Sequence, residues 1–391
     1  MRRMIRFQDM STSNRATVLR LIYQLGSVSR AELARRTSMA APTISRIVDD
    51  LMKYGLVIED SRDVTDSGPG RPPALLRMDT TNLFVVAAAC FPGHIVAALC
   101  DLDGREQVSV DIPTRDLPAD QVINHLGRLI EYLRKQAPDP GRVIGVGLTC
   151  LGLVDSRQAI IRYSPVEGWR NVPVASLLAH HTDLPVAVEN WVSARAMAEQ
   201  YFGGAREIYN FIYVHASTGI GAAMVSGGRL RRGESFTSAE FGHWPLSADG
   251  PVCRCGRRGC LEAYASLPAL PVYAGMPDLE AEEIIRLARE GNPAARAAVE
   301  KAVGYLGLGL SGLINLLNPG VLFLDGWPVT AGEVAMEPLR KVISERVVEG
   351  LDSTRILRPT QLSGRGKLIG AVTLVLDQLL DLRGELGITR N

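Results

Sequence analysis

Glu240-Phe-Gly-His243 and, ten residues after that histidine, Cys253-Arg-Cys255-Gly-Arg-Arg-Gly-Cys260-Leu-Glu262 form the stretch on which the reading of this chain turns. Cys90, Cys100 and Cys150 each stand alone among apolar residues, as core cysteines do, whereas Cys253, Cys255 and Cys260 cluster. Three thiolates and one imidazole make a tetrahedral Cys3His shell suited to zinc, and such a shell would pin a glycine-rich loop too poor in apolar residues to fold alone. A closed shell leaves no coordination position for a substrate, so the expected zinc at His243, Cys253, Cys255 and Cys260 is structural. The competing readings are a reduced cysteine cluster in a surface loop or a disulfide. Six cysteines are too few for a disulfide-built chain of 391 residues, and a reducing compartment disfavours the bond.

On either side of this loop the chain repeats a pattern. Phe84 to Cys100 and Phe211 to Val225 each read as strand, glycine-containing turn, strand, and each leads to a further glycine turn, at Asp103-Gly104 and Gly227-Gly228. That similarity implies an internal duplication. Helical patterns alternate with apolar strands: Val122 to Arg134 precedes Val143 to Thr149, and Ala194 to Phe202 precedes the second hairpin, which predicts α/β lobes. Gly304, Gly307, Gly309 and Gly312 lie within a helical stretch from Ala294 to Leu317, where small residues let a neighbouring backbone approach. Asn318-Pro319-Gly320 ends that helix before a strand from Val321 to Leu324.

Nearer the amino terminus the periodicity is helical. Val18, Leu19, Ile22 and Leu25 predict a first helix closed by Gly26, and Ser29 with Glu32 is a capping box that opens a second, Arg30 to Thr37. Pro42 leads a third helix in which Ile44, Ile47, Val48 and Leu51 repeat at helical spacing, while Thr43, Ser45 and Arg46 occupy the other face. Leu56 to Ile58 and Leu75 to Met78 then flank a polar loop that ends Gly68-Pro-Gly-Arg71-Pro-Pro73, a hairpin wing. Three short helices and a wing predict a winged helix-turn-helix that reads DNA with Thr43, Ser45 and Arg46 and reaches the backbone or minor groove with Arg71. The alternative is a protein-binding winged helix with a solvated loop.

Charge agrees with a DNA-binding end. The chain carries a net charge of +1, but residues 1–78 hold 13 basic against 8 acidic side chains, so a basic module precedes a mildly acidic body. With 46% hydrophobic and 22% charged residues the composition is globular, which excludes disorder and fibrous architectures. Pro92, Gly93 and His94 interrupt the apolar run from Phe84 to Cys100, and Asp377 interrupts that from Leu368 to Leu380, so neither is expected to span a membrane. No apolar core follows Arg2, Arg3 and Arg6, so no secretory signal is expected, and the expected location is cytoplasmic.

The arrangement Glu240-Phe-Gly-His243 with Cys253-x-Cys255-Gly-x-x-Gly-Cys260-Leu-Glu262 resembles the signature of the ROK family of repressors, open reading frames and sugar kinases, and the resemblance runs from about Asn14 onward. It implies an actin-like or hexokinase-like body, a duplicated pair of ribonuclease-H-type α/β lobes with a sugar cleft. The winged helix is the attachment of that family's repressors. The resemblance further implies that Glu240 and Glu262 accept hydrogen bonds from sugar hydroxyls, that His243 turns its second ring nitrogen to the sugar, and that Asn190 contacts it. Taken alone, each glutamate would be an ordinary surface charge.

Family kinases need parts that this chain has lost. The Asp-x-Gly-Gly-Thr type phosphate loop becomes Ala89-Cys-Phe-Pro-Gly93, without the Asp or Thr and with a proline that removes a backbone donor. The Glu-Asn-Asp that supplies the general base becomes Glu189-Asn190-Trp191, and an indole cannot take a proton. Ser217-Thr-Gly-Ile-Gly221 survives and reads as a tight turn kept for the fold; the adenosine-side glycine pair becomes Asp325-Gly-Trp327. Trp191 either stacks on a pyranose or plugs the cleft.

These readings place a winged helix-turn-helix at 1–78, a first lobe at 79–190 completed by 364–391, and a second lobe with the zinc loop at 191–363. They point to a DNA-binding regulator, a repressor that senses a sugar or sugar derivative. It is expected to lack enzymatic activity and to bind operator DNA as a homodimer or homotetramer. The rivals are a sugar kinase with a fused DNA-binding module and a ligand-independent repressor.

Overall fold

A computed structural model describes residues 13–60, 74–115, 117–165, 167–350 and 356–380. The chain divides into a unit of residues 1–190 and 367–391 and a second of residues 191–366.

The first unit begins with α1 (Ser13–Leu25), β1 (Val28–Ser29), α2 (Arg30–Thr37), α3 (Ala41–Lys53), β2 (Val57–Asp60) and β3 (Leu75–Met78). Strand β3 lies between β1 and β2, antiparallel to both, with Val57 opposite Met78 and Val28 opposite Leu76. Val18, Leu19, Ile22, Leu33, Ile44, Val48 and Leu51 bury the helical stripes against one another. Gly26, at φ +72°, ends α1, and Ser29 Oγ accepts from the Glu32 amide at 3.2 Å. Only half of a capping box forms, because the Glu32 carboxylate turns to Arg35 and Arg36. Ser38, in the left-handed conformation, starts the short turn into α3. Residues 61–73 of the wing, Arg71 among them, lie outside the described residues.

The body continues with β4 (Phe84–Phe91), β5 (His94–Asp101), β6 (Glu106–Pro113), α4 (Ala119–Gln136), β7 (Val143–Cys150), β8 (Leu153–Asp155), β9 (Ile160–Ser164), β10 (Trp169–Pro173), α5 (Val174–Leu178) and β11 (Val186–Asn190). The second unit holds α6 (Trp191–Phe202), β12 (Phe211–Ala216), β13 (Ile220–Ser226), β14 (Arg229–Arg231), α7 (Leu261–Ala265), α8 (Ala269–Ala274), α9 (Ala281–Arg289), α10 (Pro293–Leu317), β15 (Val321–Gly326), α11 (Trp327–Ala331), α12 (Glu333–Ser344) and β16 (Leu357–Pro359). Helix α13 (Ile369–Leu380) returns to the first.

Each unit is built on a five-stranded sheet, ordered β6-β5-β4-β7-β11 in one and β14-β13-β12-β15-β16 in the other. In both, three strands form an antiparallel meander and two more add in parallel beside its first strand. The duplication seen in the two hairpins therefore extends to whole lobes. Strand β7 is buried along its whole length because α13 covers it, and it contains Gly145 and Gly147. A Cβ at Gly147 would lie 2.0 Å from the Ala371 carbonyl oxygen, so only glycine lets helix and strand approach this closely.

Two joints fix the winged helix to its lobe. Helix α1 packs on α13. Arg142, at the foot of β7, is buried and donates from Nε to the Asn82 carbonyl at 2.7 Å and from Nη2 to the Gly55 carbonyl at 3.0 Å. Its Nη2 also reaches the Asp79 carboxylate at 3.3 Å. Gly55 follows α3, so the end of that helix is tied to the lobe's central sheet.

In the second unit α10 is long and apolar enough by length and composition to cross a membrane, yet most of its apolar window is buried. It packs on α7, α8, α9 and α12. Of its four glycines, Gly307 and Gly309 are the ones pressed by neighbours, Val342 and Leu339 against one, Leu261 and Phe241 against the other.

Candidate functional site

The cysteine loop takes its shape from backbone positions that only glycine fills easily. Gly259, at φ +73°, would place a Cβ 1.7 Å from the Ser247 carbonyl oxygen, and Gly256 sits at φ +84°. The Cys253 amide bonds to the Arg257 carbonyl at 2.7 Å and the Gly256 amide to the Cys253 carbonyl at 2.8 Å, folding the thiols inward. Cys260 precedes α7, and His243 ends a 3-10 turn from Phe241 whose Gly242 lies against the backbone of Ile220.

As a result the four ligand atoms of His243, Cys253, Cys255 and Cys260 all lie within 4.8 Å of one another. Cys255 Sγ is 3.7 Å from Cys260 Sγ, and Cys253 Sγ is 3.8 Å from His243 Nδ1. A tetrahedral shell with metal–sulfur bonds of about 2.3 Å has sulfur–sulfur edges of roughly 3.8 Å, so the donor set and its spacing fit a zinc ion. The other imidazole nitrogen, Nε2, faces away from the thiols, 4.0 Å from Glu240 Oε2.

The two glutamates differ sharply. Glu240 keeps about half its side chain exposed; packing raises its pKa, the His243 ring lowers it, and nearby Glu262 raises it, for a net rise. Glu262 is buried. Its Oε2 accepts from the Ile220 amide at 2.9 Å and from Arg254 Nη2 at 3.1 Å, and its Oε1 accepts from Arg254 Nε at 2.7 Å. Arg254, which lies within the metal loop, thus forks on the carboxylate, while its side chain stays 58% exposed. A Cβ on Gly219 would meet Arg254 Nη2 at 2.3 Å, so the guanidinium also lies over the Ser217–Gly219 turn.

The phosphate-loop positions are otherwise engaged. Phe91 pairs with His94 across β4 and β5, leaving Pro92 and Gly93, at φ +75°, to make the turn, and Pro92 has no N–H to offer a phosphate. In the second hairpin the Ile220 amide is taken by Glu262 and the Ser217 amide by the Gly219 carbonyl. Asp325, at the adenosine-side position, accepts from the Tyr213 hydroxyl at 2.6 Å and lies 3.2 Å from both Arg195 Nη2 and His215 Nδ1. Burial pushes its pKa up, but the His215 hydrogen bond and the Arg195 charge outweigh it and hold the carboxyl well below the usual range.

Trp191 opens α6 and is buried, its edge on His215 with ring centroids 4.8 Å apart and one face under the Arg195 guanidinium. Asn190, in the first unit, ends β11 and donates from Nδ2 to the Gly152 carbonyl at 2.9 Å.

On α3, Arg46 is exposed and Thr43 and Ser45 are half-buried, on the side away from Ile44, Ile47, Val48 and Leu51. Arg30 bonds to the Ser45 carbonyl at 3.2 Å and to Asp49 at 2.8 Å, bracing that helix against α2.

Sequence reasoning passed over Arg254, Arg142 and the Arg195–Tyr213–His215–Asp325 cluster. The one available signal was the place of Arg254 between two cysteines of the Cys3His cluster.

A model of the MarR family matches residues 12–66, and one of the ROK family matches residues 93–378. The xylose repressor of Bacillus subtilis (strain 168) is 31% identical over 380 residues, covering 94% of this chain and 96% of that protein. A crystal structure of a ROK family transcriptional regulator, described as a homolog of the E. coli MLC protein, superposes with a TM-score of 0.82 at 25% identity, over 94% of this chain and 96% of that one. A Streptomyces griseus ROK glucokinase in complex with glucose and AMPPNP superposes with a TM-score of 0.64 at 28% identity, covering 98% of its own chain but 74% of this one. With its duplicated lobes, its Cys3His loop and a match over most of its length, the chain belongs to the ROK family.

Proposed function

We propose that this protein is a sugar-sensing transcriptional repressor. It binds operator DNA through α3 and the wing, and a sugar or sugar derivative bound by its body changes that affinity. The observation that carries the reading is one chain holding both a winged helix-turn-helix, its Arg46 face exposed, and a ROK body with its metal loop intact. The full-length likeness to a xylose repressor supports it. Thr43, Ser45 and Arg46 read bases, and Arg71 contacts the backbone or minor groove.

Zinc bound by His243, Cys253, Cys255 and Cys260 holds the loop that carries Glu262 and Arg254. It leaves the His243 Nε2 proton directed toward Glu240 and a ligand hydroxyl. Glu240, His243 and Glu262 supply the sugar contacts of the second unit, and Asn190 is the contact proposed in the first.

Kinase activity is lost in this reading. The two-residue turn at Pro92-Gly93, the indole at the general-base position and the internal pairing of Asp325 each remove a part that phosphoryl transfer requires. Assembly as a homodimer or homotetramer, in the cytoplasm with the genome, completes the proposal. Exposed Leu308 and Leu316 on one side of α10, with exposed Trp244 beside Gly312, supply an apolar patch suited to self-association.

Footprinting on the operator with and without sugars tests the reading. Wild-type protein should protect two half-sites about 34 Å or a multiple apart, and one sugar should weaken protection. Arg46→Ala should relax preference at one base position, at about 1–3 kcal/mol. Protection unchanged by Arg46→Ala and by every sugar would refute the assignment.

A further inference from the structure

The buried carboxylate of Glu262 is nearly saturated before any ligand arrives. Its Oε2 has two partners, the Ile220 amide and Arg254 Nη2, which fills both lone pairs. Its Oε1 takes Arg254 Nε and has Cys253 Sγ at 3.9 Å, so at most one acceptor position is left for a sugar hydroxyl. Displacing Arg254 to free the carboxylate would leave a buried charge facing one backbone amide, an arrangement proteins avoid. A ligand at this site therefore meets Arg254 in place.

The guanidinium is held by its Nε/Nη2 edge. That leaves the Nη1/Nη2 edge, and among the described residues Nη1 has no hydrogen-bond partner. The side chain is 58% exposed and lies over the Gly219 turn; the Glu262 it grips is 3.9 Å from Cys253 Sγ, itself 3.8 Å from His243 Nδ1, which puts the guanidinium in the neighbourhood of the His243–Glu240 pair. A planar fork of N–H donors on a braced, permanently charged group matches the two oxygens of a carboxylate or phosphate, and a neutral hydroxyl cannot use it as well.

We infer that Arg254 is a specificity-determining residue that selects an anionic sugar, an aldose bearing a carboxylate or a phosphate, as the effector. The sugar hydroxyls pair with Glu240 and His243, and the anion takes the free edge of Arg254. This rests on the sugar-sensing reading above and narrows its ligand class.

Calorimetry with the full-length protein tests it, using glucose and xylose as neutral probes, glucuronate as the carboxylate, glucose 6-phosphate as the phosphate, and inorganic phosphate alone. At least one anionic sugar should bind about tenfold or more tighter than its neutral parent, and inorganic phosphate should bind far more weakly than that sugar. Whichever anionic sugar shows the advantage identifies the anion. Arg254→Gln should abolish the advantage, and Arg254→Lys, charged but without the fork, should keep only part of it, the advantage being read in each variant as the ratio of anionic to neutral affinity so that any change Glu262 undergoes cancels. Bound-metal content and melting temperature are measured for each variant. If Arg254→Gln loses metal or unfolds, Arg254→Lys decides, since a lysine variant with the full advantage refutes the fork. Neutral sugars that bind as tightly as anionic ones, or an advantage that persists in Arg254→Gln, would overturn the inference and leave the sugar-sensing reading standing. If no sugar of any kind binds at millimolar concentration, both fail together.

Discussion

Arg142→Met tests how firmly the DNA-binding end is held to its lobe. Methionine replaces most of the aliphatic stem, so the loss is polar. Donors vanish from the Asn82 and Gly55 carbonyls, and the positive partner of Asp79 goes with them. Both side chains of the pair are buried, at 8% and 7% exposure, so solvent screens the interaction little. Removing one member of a buried pair costs about 3–5 kcal/mol. Asp79 keeps its contacts with Asn82 Nδ2 at 3.0 and 3.3 Å, which places the expected loss at the lower end, about 3 kcal/mol. Urea denaturation followed by circular dichroism, with limited proteolysis of the whole protein in parallel, should show a transition displaced to lower urea and faster cleavage. Adding Asp79→Asn should recover part of the loss, because no buried charge then stands unpaired. A loss below about 1 kcal/mol, or strictly additive single changes, would show that the pair does not carry the joint.

Other perturbations address the second unit and the expected absence of phosphoryl transfer. Cys255→Ser should lower bound zinc from one per chain toward none by elemental analysis and weaken sugar binding, with the melting of the winged helix unchanged; a metal-free protein that binds sugar normally would refute the structural role. Asp325→Asn should destabilise the protein by about 3 kcal/mol at pH 7, since Arg195 would stay buried without its counter-charge. The Asp325 pKa is depressed in the folded state, so its stabilisation is present above the unfolded carboxyl value of about 3.9 and fades as pH falls toward the folded value. The gap between wild type and variant should therefore narrow in melts below about pH 4, and a constant gap would count against the charge pairing. Trp191→Asp restores a carboxylate at the base position but leaves the two-residue turn at Pro92-Gly93, so coupled ADP-release assays should still show no turnover with any hexose.

Much of this architecture was legible in the sequence for physical reasons. The apolar repeat of α3 admits one buried face, and the two strand–turn–strand segments could only be paired hairpins. Three thiols with a histidine ten residues upstream have few uses other than a metal. What stayed hidden was geometry between distant residues. Arg142, after Asp139-Pro-Gly141, looks like any surface arginine until the fold brings Asp79 and Gly55 to it. The fork of Arg254 on Glu262 depends on Gly219 leaving space above a turn 35 positions earlier. The Arg195–Tyr213–His215–Asp325 cluster draws on α6, β12 and β15, which no local pattern links. The glycines of α10 signalled close packing, which Gly307 and Gly309 show, but with side chains of Val342, Leu339, Leu261 and Phe241 rather than a backbone pressed on them, and Gly304 has no neighbour within 4 Å of where a Cβ would stand.

Helix α13 has a consequence for biosynthesis. It covers β7 and supports α1, yet it is made more than 200 residues after either of them. The second unit is one uninterrupted segment, residues 191–366, and has its whole sequence made before residues 369–380 are added. The first lobe does not: β7 keeps an uncovered apolar face and α1 lacks its support until residues 369–380 emerge. The order of completion is thus inverted relative to the order of synthesis: the second unit has all its residues before the DNA-binding end is secured. Nascent chains would be poor operator ligands, and a stop codon ahead of Ile369 would cripple DNA binding from the opposite end of the gene.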